Sequence, residues 1–288
     1  MKPAPFEYSR PASLDEACAL LVADDGARVI AGGQTLVPLM AMRLARPTRL
    51  VDIARIPGLA YIRDDGDAVT IGATTKQCVA ESDPLVRAKL PLLHRAMPHV
   101  GHGATRARGT IGGSLANGDP AAEIALVAVT LGATLNWREA GKTTAVIAAE
   151  FFLGPMVTAL PAAGCLESVR FPVWSETCLG TGFHEVNARQ SDFAFVSAAA
   201  QIVVGDDGRC RRIAVGIGAA VATPLRLDMT ALEGTRAEEA TVREVVASAL
   251  KGIEPLVDLH ASAEYRRRVA QTLAVRAIAD AYRDAHAR

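Results

Sequence analysis

The order of apolar and polar residues near the start of the chain predicts alternating helices and strands. Ser13 and Glu16 form a capping-box pattern that opens the first helix, and Gly32-Gly33 forms a turn between a strand and a helix. The elements predicted here are a helix from 14 to about 25, a buried strand at 27–31, a helix at 36–44 and a strand at 50–53. Residues 1–55 are therefore predicted to form a small α/β unit.

The apolar pattern from residue 56 to 175 is mainly that of short strands joined by turns. Polar, glycine-containing turns at 64–67 and 139–141 predict two β-hairpins. The hairpin strands are predicted at 59–62, 68–71, 134–137 and 143–147. Between the hairpins we expect a helix at 84–97, a glycine-rich loop at 101–113 and a helix beginning near Asp119-Pro120, and a strand at 165–171 follows them.

A change in composition at residues 172–177 predicts a domain boundary, because an apolar strand there gives way to proline and polar residues. After it, the pattern predicts strands at 194–204 and 211–218 and helices at 241–251 and 263–286. The predicted class is α+β. Residues 1–175 form one domain with subdomains 1–55 and 56–175, and residues 176–288 form a second domain in which helices back an antiparallel sheet.

Composition narrows the classes of function. The chain has 288 residues, of which 50% are hydrophobic and 22% charged, as in a soluble globular protein. Lys+Arg and Asp+Glu are equal at 31 each, so no overall field attracts nucleic acid or anionic lipid. No apolar run is long enough for a membrane span or signal peptide, which predicts a cytoplasmic protein. The five cysteines are scattered without a C-x-x-C pair, which argues against disulfides and a cysteine-ligated cluster.

Two glycine turns are the candidate binding chemistry. Gly32-Gly33 lies between a strand and a helix, where consecutive backbone N–H groups can converge on an anion. Gly112-Gly113 repeats the pattern, with the hydroxyls of Thr110 and Ser114 beside it. Two such loops suit one diphosphate held from both sides, although either pair alone is better explained as a tight turn. The sequence has neither a P-loop motif nor a G-x-G-x-x-G motif of the NAD-binding type.

Two longer motifs carry a family resemblance. Ala31-Gly32-Gly33-Gln34-Thr35-Leu36 and the segment from Thr110 to Glu123 resemble the paired FAD-pyrophosphate motifs of the medium subunit of molybdenum hydroxylases. This family includes carbon monoxide dehydrogenase, nicotine dehydrogenase and the FAD domain of xanthine dehydrogenase. Counterparts at residues 151–154 and 189–194 extend the similarity over essentially the whole chain.

The resemblance implies a fold and a cofactor site. It implies a FAD-binding region of the vanillyl-alcohol-oxidase type with two α/β subdomains, and a C-terminal domain that covers the flavin. FAD would be bound non-covalently, with Glu123 and Asp119 bonding its hydroxyls and Phe193 near the flavin ring. The predicted cofactor contacts are Ala31, Gly32, Gly33, Gln34, Thr35, Leu36, Val100, Thr110, Gly112, Gly113, Ser114, Asp119, Glu123, Leu166 and Phe193. Neither a catalytic side chain nor a metal site is predicted.

The same resemblance implies a role within a larger enzyme. A large partner subunit would carry the molybdenum cofactor, and a small partner subunit would carry the 2Fe-2S clusters. Electrons from these clusters would reach the FAD of this chain and leave to an external acceptor, which is NAD, oxygen, a quinone or a carrier protein. Two alternatives stay open, namely a stand-alone flavin oxidase of the same fold and an interaction protein without flavin.

Several other side chains receive structural interpretations. His94, His99 and His102 have no recognised metal-site spacing, so we interpret them as exposed or hydrogen-bonded histidines. One apolar set is interpreted as core packing: Val37, Leu39, Met40 and Met42. One basic set is interpreted as solvated charges, with subunit docking as the alternative: Arg209, Arg211, Arg212, Arg266, Arg267 and Arg268.

Five positions bear on the cofactor. Arg106 and Arg108 precede the second glycine turn, and their charges could neutralise a phosphate. Relatives often carry a lysine shortly after the aromatic position of Phe183, whereas this chain has His184-Glu185. A tyrosine is also common where Phe193 stands, so we do not transfer those roles to this chain.

Overall fold

The computed structural model describes residues 2–287, and the first part of this chain forms a small parallel sheet with two helices. Its elements are β1 (Glu7–Ser9), α1 (Leu14–Ala23), β2 (Arg28–Ile30), α2 (Leu36–Ala41) and β3 (Arg49–Asp52). β3 lies in the centre and pairs in parallel with both neighbours. Ser13 caps α1 by accepting a hydrogen bond from the Glu16 N–H, as the capping-box pattern predicts.

The middle of the chain forms a five-stranded antiparallel sheet with short helices. Its strands are β4 (Ile62–Asp64), β5 (Ala68–Gly72), β6 (Thr134–Glu139), β7 (Lys142–Ile147) and β10 (Cys165–Pro172), in the order β4-β5-β10-β6-β7. A separate two-stranded sheet pairs β8 (Phe152–Gly154) with β9 (Val157–Thr158). The helices are α3 (Gln77–Ser82), α4 (Pro84–Lys89), α5 (Pro91–Ala96), α6 (Gly103–Arg106), α7 (Ile111–Asn117), α8 (Glu123–Leu131) and α9 (Ala148–Phe151).

The last part is a four-stranded antiparallel sheet covered by helices. Its elements are β11 (Leu179–Val186), β12 (Val196–Val204), β13 (Cys210–Gly218), β14 (Leu225–Leu227), α10 (Glu239–Ala249) and α11 (Ala263–His286). All nine residues of β12 are buried, because α11 packs on one face of the sheet and α8 packs on the other. The sheet is therefore a shared layer between the middle and C-terminal parts of the chain.

The α+β class and the antiparallel C-terminal sheet with helices are confirmed, but the predicted helix at 84–97 is wrong. The chain forms α4 and α5 instead, and they meet at Leu90, which has φ −124° and ψ 57°. The proline ring of Pro91 excludes helical geometry at the residue before it and supplies no N–H. The division at residues 55 and 175 stays a prediction.

Other local predictions also need correction. The loop predicted at 101–113 contains α6, and Gly112-Gly113 lies in the first turn of α7. The helix expected near Asp119-Pro120 begins at Glu123. The strand at 27–31 is only partly buried, because β2 is an edge strand of its sheet. Among residues 2–287, no helix combines the length and apolar character that crossing a membrane requires.

The contact between β11 and α11 leaves no space for side chains. A Cβ on Gly182 would lie 2.1 Å from the Ala277 carbonyl oxygen, and one on Gly180 would lie 2.0 Å from that of Ala281. Both obstructing atoms belong to the backbone, so neither can rotate away. The two glycines thus allow the long helix to lie directly on the strand.

We expect Gly182→Ala to lower the free energy of unfolding by about 2–3 kcal/mol, because the added methyl forces the helix away from the sheet. Chemical denaturation would measure the change. Gly103→Ala is the matched control, since a Cβ at Gly103 meets nothing within 4 Å. Equal stability of the two variants would contradict the close contact.

Candidate functional site

One cavity of about 620 Å³ lies where the small N-terminal unit, the middle sheet and the C-terminal domain meet. Every residue predicted to contact a cofactor lines it: Ala31, Gly32, Gly33, Gln34, Thr35, Leu36, Val100, Thr110, Gly112, Gly113, Ser114, Asp119, Glu123, Leu166 and Phe193. These positions are spread over more than 160 residues of sequence. The fold thus brings the two glycine motifs and the C-terminal aromatic residue to one place.

The first glycine turn presents free backbone donors to this cavity. The amide N–H groups of residues 32–35 make no hydrogen bond to any other group in residues 2–287. Gly33 has φ +68°, and this left-handed conformation turns successive N–H groups toward one side. The turn therefore has the geometry of an anion-binding loop, as the sequence predicts.

The second glycine motif works differently from the first, and the prediction that both present free amides is wrong. The Ile111 N–H donates to the Thr75 carbonyl, and the Gly112 N–H donates to the Ala73 carbonyl. The Gly113 N–H donates to the Thr110 hydroxyl oxygen, which caps α7. The first two of these bonds attach α7 to the segment after β5. The amides of this motif therefore stabilise the cavity wall and are not free to bind an anion.

Glycine is nevertheless required at the second motif. A Cβ at Gly112 would lie 2.6 Å from the Ala73 backbone, so only glycine lets α7 approach this closely. What the motif offers to the cavity is hydroxyl chemistry from Thr110 and Ser114. The Thr110 oxygen already accepts a bond from an N–H, which leaves its O–H hydrogen available as a donor.

The remaining wall is largely apolar, with isolated polar groups. Val100, Leu166 and Leu160 contribute aliphatic surface. The Gln77 side-chain oxygen is buried and has no hydrogen-bond partner among residues 2–287. Apolar walls with a few convergent polar groups are typical of a cofactor site. Free amides, hydroxyl donors and apolar surface together fit a dinucleotide that has an anionic diphosphate and a flat ring.

Glu123 is a buried acid on this wall. Burial is the main cause that raises its pKa to about 7, and the nearby carboxylates of Glu185 and Asp119 act in the same direction. The backbone N–H of Glu123 and the His99 imidazole favour the ionised form, but they only partly offset the loss of solvation. Near neutral pH, Glu123 can therefore serve as a hydrogen-bond donor as well as an acceptor.

Behind Glu123 lies a contact that sequence reasoning did not find. The Glu185 side chain is only 5% exposed, and one of its oxygens lies 3.2 Å from His99 Nδ1. The same oxygen accepts a 2.9 Å hydrogen bond from the Asn187 amide, whereas the other has no partner among residues 2–287. In the sequence, Glu185 stands out only because relatives often carry a lysine near this position. That difference does not indicate which residue Glu185 contacts. His94 is hydrogen-bonded to the Glu81 carbonyl, as one of the two interpretations of the histidines predicts, whereas His99 is half-buried beside the Glu185 carboxylate.

The arginines predicted to neutralise a phosphate do not line the cavity. Arg106 pairs with Glu81 at 2.7 Å and also donates to the carbonyls of Val100 and Gly101, so it braces the loop before α6. Arg108 is exposed and does not line the cavity, although the next residue, Gly109, does. The basic residue on the wall is Arg28, which the sequence prediction missed.

The C-terminal domain reaches the cavity through one loop between β11 and β12. Ser191, Asp192 and Phe193 line the cavity, and the Phe193 side chain is 72% exposed. Ser191 has φ +69°, which is uncommon for a residue other than glycine. The Phe195 N–H donates to the Val186 carbonyl at 2.7 Å, so the two ends of this loop are held together.

We expect the free energy of unfolding of the FAD-free protein to fall as pH rises from about 4.5 to about 7. In that range folded Glu123 retains a proton that the unfolded chain has lost, so increasing pH favours unfolding. Glu123→Gln should remove up to about 3 kcal/mol of this decline, at ~1.4 kcal/mol per pKa unit. Denaturation at a series of pH values would measure it, with the exposed Glu150→Gln as control. An identical pH profile in Glu123→Gln and wild type would contradict the raised pKa.

Comparisons with known proteins agree with this geometry. Residues 4–174 match the family described as FAD binding domain in molybdopterin dehydrogenase, and residues 181–281 match the CO dehydrogenase flavoprotein C-terminal domain. The medium subunit of nicotine 6-hydroxylase from Paenarthrobacter nicotinovorans is 32% identical over 283 residues, which cover 98% of this chain and 99% of that protein.

Solved structures show the same relationship. Carbon monoxide dehydrogenase from Hydrogenophaga pseudoflava superposes with a TM-score of 0.94 at 32% identity, and the match covers 99% of each chain. Quinoline 2-oxidoreductase from Pseudomonas putida gives a TM-score of 0.93 at 35% identity, again over 99% of each chain. The resemblance stated from the glycine motifs is therefore confirmed, and this chain belongs to the FAD-binding medium subunits of the molybdenum hydroxylase family of oxidoreductases.

Proposed function

We propose that this chain binds FAD in the cavity and acts as the electron-transferring flavoprotein subunit of a molybdenum hydroxylase. The observation that carries the proposal is the set of free amides at residues 32–35, which face a cavity formed by both glycine motifs. Family membership identifies the dinucleotide as FAD. A glycine pair that served only to form a tight turn would not need to present free N–H groups to a cavity.

The diphosphate is assigned to the two glycine motifs. The N–H groups of residues 32–35 supply donors for one side, and the hydroxyls of Thr110 and Ser114 supply donors for the other. Each N–H that meets a phosphate oxygen forms a charge-assisted hydrogen bond, which is stronger than a neutral one. The anion is therefore held mainly by backbone dipoles, which suits a chain with no excess of basic residues.

The other walls are assigned to the rest of the cofactor. Glu123 and Asp119, which line the cavity, would bond hydroxyl groups of the ribose or ribityl chain, and Phe193 would contact the flavin ring. Val100 and Leu166 supply apolar contacts. All of these contacts are non-covalent, since no histidine or cysteine stands at a position that the family resemblance marks for flavin attachment.

Electron transfer requires partners. Bound FAD supplies two-electron and one-electron redox chemistry, which lets this chain connect iron-sulfur clusters of a small subunit to an external acceptor. The P. nicotinovorans relative is named as a medium subunit, and the H. pseudoflava structure is described as lacking the Mo-pyranopterin moiety of a molybdenum cofactor. The first description supports a large and a small subunit as partners of this chain, and the second supports a molybdenum cofactor on one of them. The iron-sulfur clusters of the small subunit are what the family resemblance implies. A cytoplasmic location stays a prediction.

We expect Gly33→Asp to weaken FAD binding at least about 100-fold, or ~3 kcal/mol, because a carboxylate would stand against the diphosphate. Titration of the FAD-free protein, followed by flavin fluorescence, measures the affinity. Gly58→Asp is the matched control, since Gly58 also has a positive φ, of +79°, but a Cβ there meets nothing within 4 Å and it lies off the cavity. The control separates backbone strain from loss of the site. Wild-type affinity in Gly33→Asp would contradict the assignment of the first turn to the diphosphate.

We expect the purified single chain to release free FAD on denaturation and to lack turnover of an organic substrate. Dithionite should reduce its flavin, and an added acceptor should reoxidise it, because the chain supplies only the flavin step. The measurement is visible absorbance together with a substrate screen. Purification from the native host should yield a complex with a large and a small chain. Substrate turnover by the homogeneous single chain would instead support a stand-alone flavin oxidase.

A further inference from the structure

Arg266 is one of three successive arginines that the sequence suggests are solvated, but its side chain is only 3% exposed. The interpretation as a surface charge is therefore wrong for this residue. Its Nη1 donates to the carbonyl of Phe195 and, at 2.8 Å, to the carbonyl of Ala219. Its Nη2 donates to Asp258 at 2.5 Å. Its Nε is buried and has no partner among residues 2–287. Burying a guanidinium is costly, and the bonds of both Nη atoms offset part of that cost, which indicates a specific role for this arrangement.

The two carbonyls mark one end of the C-terminal sheet. Phe195 comes directly before β12, and Ala219 comes directly after β13. β12 and β13 are antiparallel, so these residues are neighbours at the same end of the strand pair. The Phe195 N–H also donates to the Val186 carbonyl at the end of β11. Arg266 therefore ties together the end of the sheet from which the loop to the cavity emerges.

Both carbonyls are connected to lining residues of the cavity through few residues. Phe195 is two residues from Phe193, which lines the cavity. The Ala219 N–H donates to the Pro120 carbonyl at 2.8 Å, and Pro120 follows Asp119, which also lines the cavity. Ala219 thus joins the C-terminal sheet to the segment between α7 and α8. One side chain of α11 is connected in this way to two walls of the site.

The backbone around Arg266 also requires external support. Ala219 has φ +60°, a left-handed conformation that is strained for a residue with a Cβ. Such a conformation persists where neighbouring contacts determine it. Here the Ala219 carbonyl is held by Arg266 and its N–H by Pro120, so both sides of the strained residue are fixed.

We infer that Arg266 is a positioning residue of the cofactor site, which fixes the positions of Phe193 and Asp119 relative to each other. The planar guanidinium suits this role, because its fork reaches two carbonyls and a carboxylate at once, whereas an ammonium cannot reproduce that geometry. The inference rests on the proposed binding of FAD in this cavity. Arg266 itself does not line the cavity.

The test compares FAD dissociation constants and visible circular dichroism of the bound flavin in wild type, Arg266→Met, Arg266→Lys and Arg267→Met. Arg266→Met should bind FAD about tenfold more weakly with an altered flavin spectrum. Arg266→Lys should fall between it and wild type. Arg267→Met is the matched control, because Arg267 is exposed and, among residues 2–287, its side chain donates only to the Ile253 carbonyl. It should match wild type. Wild-type affinity and spectrum in both Arg266 variants would overturn the inference.

A double-mutant cycle with Phe193→Ala separates positioning from general destabilisation. If Arg266 acts through Phe193, replacing it with Met in the Phe193→Ala background should weaken FAD binding about threefold or less. The same tenfold loss in both backgrounds would mean that Arg266 supports only the fold, and would refute positioning through Phe193.

If Arg266→Met does not fold, Asp258→Asn provides a second test of the inference. It keeps an oxygen for the N–H groups of His260 and Ala261 but removes the ion pair with Arg266. FAD binding should weaken about threefold, and unchanged binding with an unchanged flavin spectrum would count against the inference. If the wild-type protein does not bind FAD, both the proposed function and this inference are overturned. If the wild-type protein binds FAD normally and the variants are unaffected, only this inference is overturned.

Discussion

The contact between the backbone of Gly32 and that of residues 108–109 is the constraint on which the cavity depends. A Cβ on Gly32 would lie 2.5 Å from the Arg108 carbonyl oxygen and 2.8 Å from the Gly109 Cα. Both obstructing atoms are backbone atoms, so only glycine permits this approach. The Lys76 ammonium holds the Arg108 carbonyl, and the Gln77 N–H holds the Gly109 carbonyl. A turn of the first sheet and a segment of the middle domain thereby become two walls of one site.

The two glycine motifs share a sequence pattern but use their amides differently, and this difference follows from their surroundings. The first motif lies beyond an edge strand, so its N–H groups have no neighbouring strand to pair with. The second motif begins a short helix that must be fastened to the segment after β5, and its N–H groups are used for that purpose. The first motif therefore supplies free N–H donors, whereas the N–H groups of the second motif stabilise another part of the cavity wall.

Local sequence chemistry predicted the features that depend on few residues. The cap at Ser13, the turn at Gly32-Gly33 and the two hairpins need only neighbours in sequence or one adjacent strand. The strand predicted at 59–62 is nevertheless displaced, since β4 spans Ile62–Asp64. The residues predicted to contact the cofactor all line one cavity, but they were predicted from the family resemblance and not from local patterns. Exposure could not be predicted in this way. Val37 and Met42, interpreted as core residues, are about half exposed, because α2 is a short helix with only Met40 buried.

Two buried charges could not be predicted from the sequence, because each depends on contacts between distant segments. Glu185 of β11 meets His99, which lies in the middle domain, and Arg266 of α11 binds carbonyls at the end of the sheet. Both residues come from the C-terminal domain, and both lie directly behind walls of the cavity without lining it. A buried acid near Glu123 disfavours a second negative charge there, while a buried guanidinium fixes the loop that carries Phe193. The C-terminal domain therefore governs both the charge and the shape of the site. It is an integral part of that site even though it contributes few of the lining residues.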